Sequence, residues 1–117
     1  MTEGTITGNS NAEAIGESSL QQMGDYLENI LTRQLEKVRN YDLDGAIELA
    51  EEANELAATI GREGWLNRPE HSEQHDRVQK LYRDISLIIA VERGEVADKL
   101  KVIRKGIKTL GIYGKNM

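Results

Sequence analysis

Apolar residues recur along most of this chain at steps of three and four, the spacing that gathers side chains on one face of an α-helix. Leu20, Met23, Leu27, Ile30, Leu31, Leu35 and Val38 form the first stripe. Ser18 followed by Gln21 has the form of a capping box, so a helix is expected from Ser18 to about Asn40; Ser10 with Glu13 is an earlier candidate that Gly16 weakens. The run Asn40-Tyr41-Asp42-Leu43-Asp44-Gly45 supplies turn residues and two N-cap candidates. Ile47, Ala50, Ala53, Leu56, Ala57 and Ile60 then make a second stripe, with Gly61 as its expected stop. A link of about four residues makes these two helices antiparallel neighbours.

Beyond a loop holding Trp65 and Leu66, Asn67 is placed to cap a third helix, with Pro69 in its first turn, Glu70 at the capping-box position and Leu66 as a hydrophobic staple. Val78, Leu81, Tyr82, Ile85, Ile88 and Ile89 mark its buried face, and the pattern resumes at Val96, Leu100, Ile103, Ile107 and Leu110. Arg93-Gly94-Glu95 either divides this stretch into two helices or is absorbed, Gly94 costing about 1 kcal/mol inside a helix. The apolar steps pass through Glu92 as two consecutive fours, a stutter that a continuous helix tolerates. The pattern therefore favours continuity or a kink, and a helix from 69 to 111 would run roughly 60 Å.

The expected fold is all-α: an antiparallel bundle of three to four helices with a long or kinked C-terminal helix. Residues 1–17, rich in Thr, Gly, Ser, Asn and Glu, are read as a mobile N-terminal segment. Residues 18–117 form one helical domain, with an interaction helix at about 95–111. Composition agrees, because with no Phe, one Trp and four Tyr the core of this 117-residue chain must be aliphatic. The absence of cysteine excludes disulfides, thiolate metal sites and thiol nucleophiles. The start lacks the basic flank and apolar run of a signal peptide, and no apolar stretch approaches the roughly 20 residues of a membrane span, so the expected location is cytoplasmic.

Charge adds a polarity that net charge hides. Residues 1–76 carry 16 Asp plus Glu against 5 Lys plus Arg, whereas residues 77–117 carry 4 against 10. Two single-sign stripes share the spacing i, i+3, i+4, i+7: Glu48, Glu51, Glu52 and Glu55, then Lys101, Arg104, Lys105 and Lys108. The acidic set lies opposite the alanine face of its helix and reads as a solvated outer surface. The basic set edges the seam of Val96, Leu100, Ile103, Ile107 and Leu110, which continues to Ile112 and Tyr113. Part of that bias complements the dipole at a helix C-terminus. The rest makes Val96, Leu100, Ile103, Ile107, Leu110 and Tyr113 the candidate partner-binding residues, with Lys101, Arg104, Lys105 and Lys108 as their charged rim.

No residue set announces catalysis. His71 and His75 share a helix face, but Ser72 follows His71 where the HExxH zinc motif needs Glu, and no third ligand converges, so no metal or other cofactor is expected. Gly106, Gly111 and Gly114 make no phosphate loop, and no nucleophile elbow accompanies the serines. The chain is not expected to be an enzyme. Trp65, in a connecting loop, is expected to cover the end of the core with its NH reaching water. Nucleic-acid or membrane-surface binding has little support, because aromatic residues are not interleaved with the basic ones and the chain is acidic overall.

The hairpin around Tyr41-Asp42-Leu43-Asp44-Gly45-Ala46-Ile47-Glu48, the later Glu92-Arg93-Gly94-Glu95 and the stretch from Ile103 to Gly114 resemble the small helical flagellar export chaperones of the FliT/FlgN type. The resemblance covers roughly residues 20 to 114 and rests on helix order, length and tail composition. It implies a short helical bundle whose apolar C-terminal helix binds a secreted flagellar subunit, with Val96, Leu100, Ile103, Ile107, Leu110 and Tyr113 as the binding positions. The expected function is thus a non-enzymatic protein-binding chaperone or adaptor; a homodimer that uses the same seam to complete its own core is the alternative.

Overall fold

The computed structural model describes residues 16–103 and residue 105. Four α-helices, α1 (Glu17–Arg39), α2 (Leu43–Glu63), α3 (Ser72–Ile89) and α4 (Gly94–Lys99), follow one another, with two single 3-10 turns, Trp65–Asn67 and Pro69–His71, between α2 and α3. Helical residues resume at 101–103. Among the described residues there is no strand, and the all-α bundle expected from the apolar stripes is the fold.

Helix α1 begins one residue ahead of the expected capping box. Its N-cap is Gly16, which offers no side-chain bond, and Ser18 lies inside the first turn. The earlier start places the Glu17 carboxylate at the positive end of the helix, where it accepts from Arg68 Nη1 at 2.7 Å. Buried residues Leu20, Gly24, Leu27, Leu31, Gln34 and Val38 of α1 advance by alternating fours and threes, so the seam includes two positions that hydrophobicity does not mark.

The helix ends in a Schellman turn: Tyr41 N donates to Val38 O at 3.1 Å and Asp42 N to Lys37 O at 2.8 Å. Tyr41 takes the left-handed conformation usually given to glycine, with φ 56°. Its side chain is tied back, the hydroxyl donating to Glu92 Oε1 at 3.1 Å. Asp42 then caps α2 as expected, Oδ1 accepting from Gly45 N at 3.0 Å. Ala46, Ala50, Ala53, Ala57 and Ile60 are buried along α2. Four alanines in one seam permit close approach to α1, and Tyr26 Oη donates across the pair to Glu52 Oε2 at 2.6 Å.

Helix α2 does not stop at Gly61 but runs to Glu63, and Gly64 supplies the left-handed end at φ 64°. Nor does Asn67 cap the third helix. Arg68 is extended at φ −77° and ψ 140°, the conformation that a following proline enforces, so the backbone through 67 and 68 cannot enter an α-helix. Pro69 opens a 3-10 turn instead, and α3 starts at Ser72. Gln74 Nε2 bonds Asp25 and Glu28, which sets α3 beside α1 and parallel to it once Tyr41 and Glu92 fix the other end.

The expected continuity through Gly94 is not found. Helix α3 ends at Ile89, Arg93 is extended at φ −134° and ψ 162°, and Gly94 has φ 63°. Arg93 Nη1 donates to the carbonyls of Ala90 and Glu92, each at 3.1 Å, satisfying acceptors that the break frees. The chain then turns back along α2, where Asn54 Nδ2 donates to Val102 O at 2.9 Å. Leu100 and Ile103 enter the core fully buried, joining Ile60, Tyr82, Ile85 and Ile89. Burying a Leu and an Ile contributes roughly 1.5–3 kcal/mol each, which outweighs interrupting a helix whose loose carbonyls find new donors.

Candidate interaction surface

The last segment is held at two heights. Tyr41 and Glu92 join it near the start of α2, and Asn54 and Val102 join it at mid-helix. Between these ties it runs parallel to α2 and opposite to α3. Val96 and Val102 are half-buried against the core, while Leu100 and Ile103 are wholly inside it. Of the expected partner-binding residues, then, the structure places Val96, Leu100 and Ile103 together, with the latter two filling this chain's own interior. Ile107, Leu110 and Tyr113 lie outside the described residues.

The charged rim divides similarly. Lys101 is exposed and pairs with Asp98 at 3.3 Å, both side chains more than two-thirds in water, so this pair adds little to stability. Lys105 is exposed, and Arg104 and Lys108 lie outside the described residues. On α2 the four glutamates Glu48, Glu51, Glu52 and Glu55 all face solvent, the outer surface that their wheel position implies. The α1–α2 surface is polar around Arg33, Lys37, Glu48 and Glu52, and more apolar around Met23, Tyr26 and Leu56.

A second built feature closes the opposite end of the bundle. Trp65 is buried at 1% exposure, covering the core as expected, but its indole NH does not turn to water. It points to Gln74 Oε1 at 3.4 Å. The His71 ring stacks on Trp65 with centroids 3.7 Å apart and planes 23° from parallel, and the Arg68 guanidinium lies 5.3 Å from the indole centroid. Gln74 is itself buried, and its amide NH₂ donates at 3.0 Å to both Asp25 Oδ1 and Glu28 Oε1. Glu28 also accepts from Arg77 at 2.7 and 3.1 Å. The Arg77 bonds hold the Glu28 carboxyl below its ordinary pKa; partial burial opposes that shift, and the Gln74 bond reinforces it.

Gly24 makes this node possible, since a Cβ there would stand 2.5 Å from Gln74 Oε1 and 3.3 Å from Trp65 Nε1. Hydrophobic periodicity passed over Gly24 and Gln74. Both could have been found from the seam spacing alone, Gly24 falling four after Leu20 and Gln74 four before Val78. The histidines take structural places: His71 against the indole, His75 Nδ1 at 3.5 Å from Asp76 Oδ1. Among the described residues no group of three or more His, Cys, Asp or Glu is placed to hold a metal ion, and no helix is long and apolar enough to cross a membrane. Comparison with known proteins returns no matching family model, no matching curated protein and no matching solved structure.

Proposed function

We propose that this protein is a non-enzymatic adaptor or chaperone that holds an amphipathic helix of a protein partner, with the C-terminal seam of Val96, Leu100, Ile103, Ile107, Leu110 and Tyr113 as the exchangeable element. The supporting observation is the sparse attachment of the described part of that element. Helices α1, α2 and α3 each bury five or more residues, whereas α4 is six residues long, has no side-chain N-cap and buries none of its own. Leu100 and Ile103, just beyond it, are its two fully buried anchors among the described residues. An element attached so sparsely opens at low free energy, and its departure uncovers the core that Leu100 and Ile103 now cover. Lys101 and Lys105, both exposed, with Arg104 and Lys108 next to them in the sequence, favour a partner with acidic flanks.

The resemblance to flagellar export chaperones makes a secreted flagellar subunit the first partner to test. The assay compares capture of such a subunit by the full chain and by a chain truncated after Arg93. Capture by the full chain and its loss on truncation, with the α1–α2 hairpin still helical by circular dichroism, is the expected result. Undiminished capture by the truncated chain defeats the reading. A stable dimer in sedimentation with no subunit captured favours the homodimer instead.

A further inference from the structure

Tyr26 Oη and Glu52 Oε2 bridge the antiparallel pair α1 and α2, and an open groove runs between the two helices on either side of that bond. Toward the start of α1 it is lined by Met23, Tyr26 and Leu56 and is mainly apolar. Toward the start of α2 it is lined by Arg33, Glu36, Glu48, Leu49 and Glu52. Leu49 and Leu56 stand at i and i+7 on one face of α2, both half-buried, so the apolar floor extends for about 10 Å, or two helical turns. Tyr26 lies in the middle of it, 44% exposed. Leu56 comes two residues after Asn54, the residue that ties the last segment, and therefore lies on the opposite side of α2. The groove is thus separate from the face that Leu100 and Ile103 cover.

The rim of this groove carries acidic charge that the described chain does not answer. Glu48 and Glu52 border it, with Glu51 and Glu55 beside them on the outer face of α2, and all four are exposed. Spaced at i, i+3, i+4 and i+7, they form like-charge neighbours that each weaken the helix slightly. Helix α2 sets one cation, Arg62, against six acidic residues. The two cations of α1 that line the groove turn to other acceptors: Arg33 Nη1 donates to Asn29 Oδ1 at 3.2 Å, and Lys37 Nζ lies 3.3 Å from Asp42 Oδ2. Among the described residues none of the four glutamates is in an ion pair. We propose that the α1–α2 groove docks a basic amphipathic helix of a protein partner, with its apolar face on Met23, Tyr26, Leu49 and Leu56 and its Lys or Arg side chains against Glu48 and Glu52. Cations placed there relieve the repulsion along α2, whereas an acidic helix or a nucleic acid adds to it. This goes beyond the proposed function, which concerns a partner with acidic flanks on the other side of α2; with both faces in use, the protein joins two partners of opposite charge.

The probe is a synthetic peptide of about 15 residues made of Leu, Ala and Lys, with Leu at i, i+4 and i+7 and Lys on both flanks; its control is a scrambled peptide of the same composition. Fluorescence anisotropy with the full-length protein should show the patterned peptide binding about tenfold or more tightly than the scrambled one. Glu48→Lys with Glu52→Lys should weaken that binding about tenfold or more, whereas Glu70→Lys with Glu73→Lys, where the chain enters α3, should change it less than about twofold. Each pair raises the net charge by four, from −5 to −1, so the comparison separates the groove from overall charge. Equal weakening by the two pairs, or equal binding of the two peptides, overturns the proposal. The chain has three methionines, so isotopic labelling of the methionine methyl groups gives few signals, and Met23→Leu identifies that of Met23. Saturating peptide should move the Met23 signal, and a Met23 signal that stays in place overturns the proposal. A signal that moves with protein concentration alone overturns it in favour of a second copy in the groove. These measurements use no flagellar subunit and leave the last segment intact, so failure here and failure of subunit capture are separate results.

Discussion

Replacing Gly24 by Ala sets two effects of known sign against each other. An alanine in mid-helix is favoured over glycine by about 1 kcal/mol, so on propensity alone Gly24→Ala stabilises α1. The new methyl would stand 2.5 Å from Gln74 Oε1 and 3.2 Å from its Cδ, where ordinary contact begins near 3.4 Å. Gln74 is a long side chain and on an open surface would swing aside cheaply. Here it is 5% exposed and pinned by the indole NH and by two carboxylates. Withdrawing it leaves the buried Trp65 NH unpaired at about 1–3 kcal/mol and weakens bonds to charged groups worth about 1.5–3 kcal/mol each, of which water returns part. The loss exceeds the gain, and a net destabilisation of roughly 1–3 kcal/mol is expected, or about 4–8 °C of thermal midpoint per kcal/mol. Urea unfolding followed by circular dichroism and Trp65 fluorescence measures it. In a Gln74→Ala background the obstruction is gone and the same substitution should stabilise by about 0.5–1 kcal/mol, giving a coupling of about 2 kcal/mol or more across the cycle. Equal effects of Gly24→Ala in the two backgrounds would refute the reasoning.

Gly94→Ala tests the break: at φ 63° an alanine should cost about 1–2 kcal/mol with Asn better tolerated, whereas a continuous helix would gain about 1 kcal/mol, so the sign of the shift in urea midpoint decides. Tyr82 is buried with its hydroxyl unpartnered and burial pushes its phenol up. Tyr82→Phe should therefore raise stability by about 1 kcal/mol, and should remove a loss that the parent shows as pH rises past the unfolded phenol value near ~10; a destabilised Phe variant at neutral pH contradicts this. Glu28 has a lowered folded pKa, so its contribution is complete above the unfolded value near ~4.3 and is lost as pH falls through the folded value. Glu28→Gln should be less stable than the parent at pH 7 and should converge on it in acid, and stability curves that stay parallel from neutral to acid pH would show the Arg77 pairing to be energetically silent.

The stripes of α1, α2 and α3 were readable from sequence because amphipathic periodicity reports which face of a helix leaves water, whatever covers it. Leu20, Leu27, Ala50, Ala57, Val78 and Ile85 are all buried on those faces. Element ends were less legible, since several residues carry equally good stop or start signals and tertiary contacts choose among them. Gly61 and Gly64 compete to end α2, and Ser18 gives way to an end tied by Arg68 to Glu17. The polar node escapes a reading by hydrophobicity for a different reason, although spacing alone puts its two residues on the seam. Gln74 and Gly24 have no apolar signature, and what buries them is the meeting of three chain segments, α1, α3 and the loop at Trp65, which only the fold brings together.

The seam of Val96, Leu100 and Ile103 shows where periodicity stops being informative. A stutter carried through a continuous helix and a break followed by return produce the same string of apolar residues, because both keep each half of the pattern intact. What separates them is the free energy of covering the second half. A helix projecting past residue 89 keeps a few backbone bonds and leaves Leu100 and Ile103 in water. The broken chain gives up those bonds, recovers two of the freed carbonyls through Arg93 and gains burial of roughly 1.5–3 kcal/mol for each of the two side chains. Glycine tips the choice, for the left-handed turn at 94 is nearly free to it and costs other residues about 1–2 kcal/mol. The same balance bears on function. Among the described residues two fully buried side chains, Leu100 and Ile103, hold this element, and the proposed exchange requires that a helix offering a longer apolar face replace them.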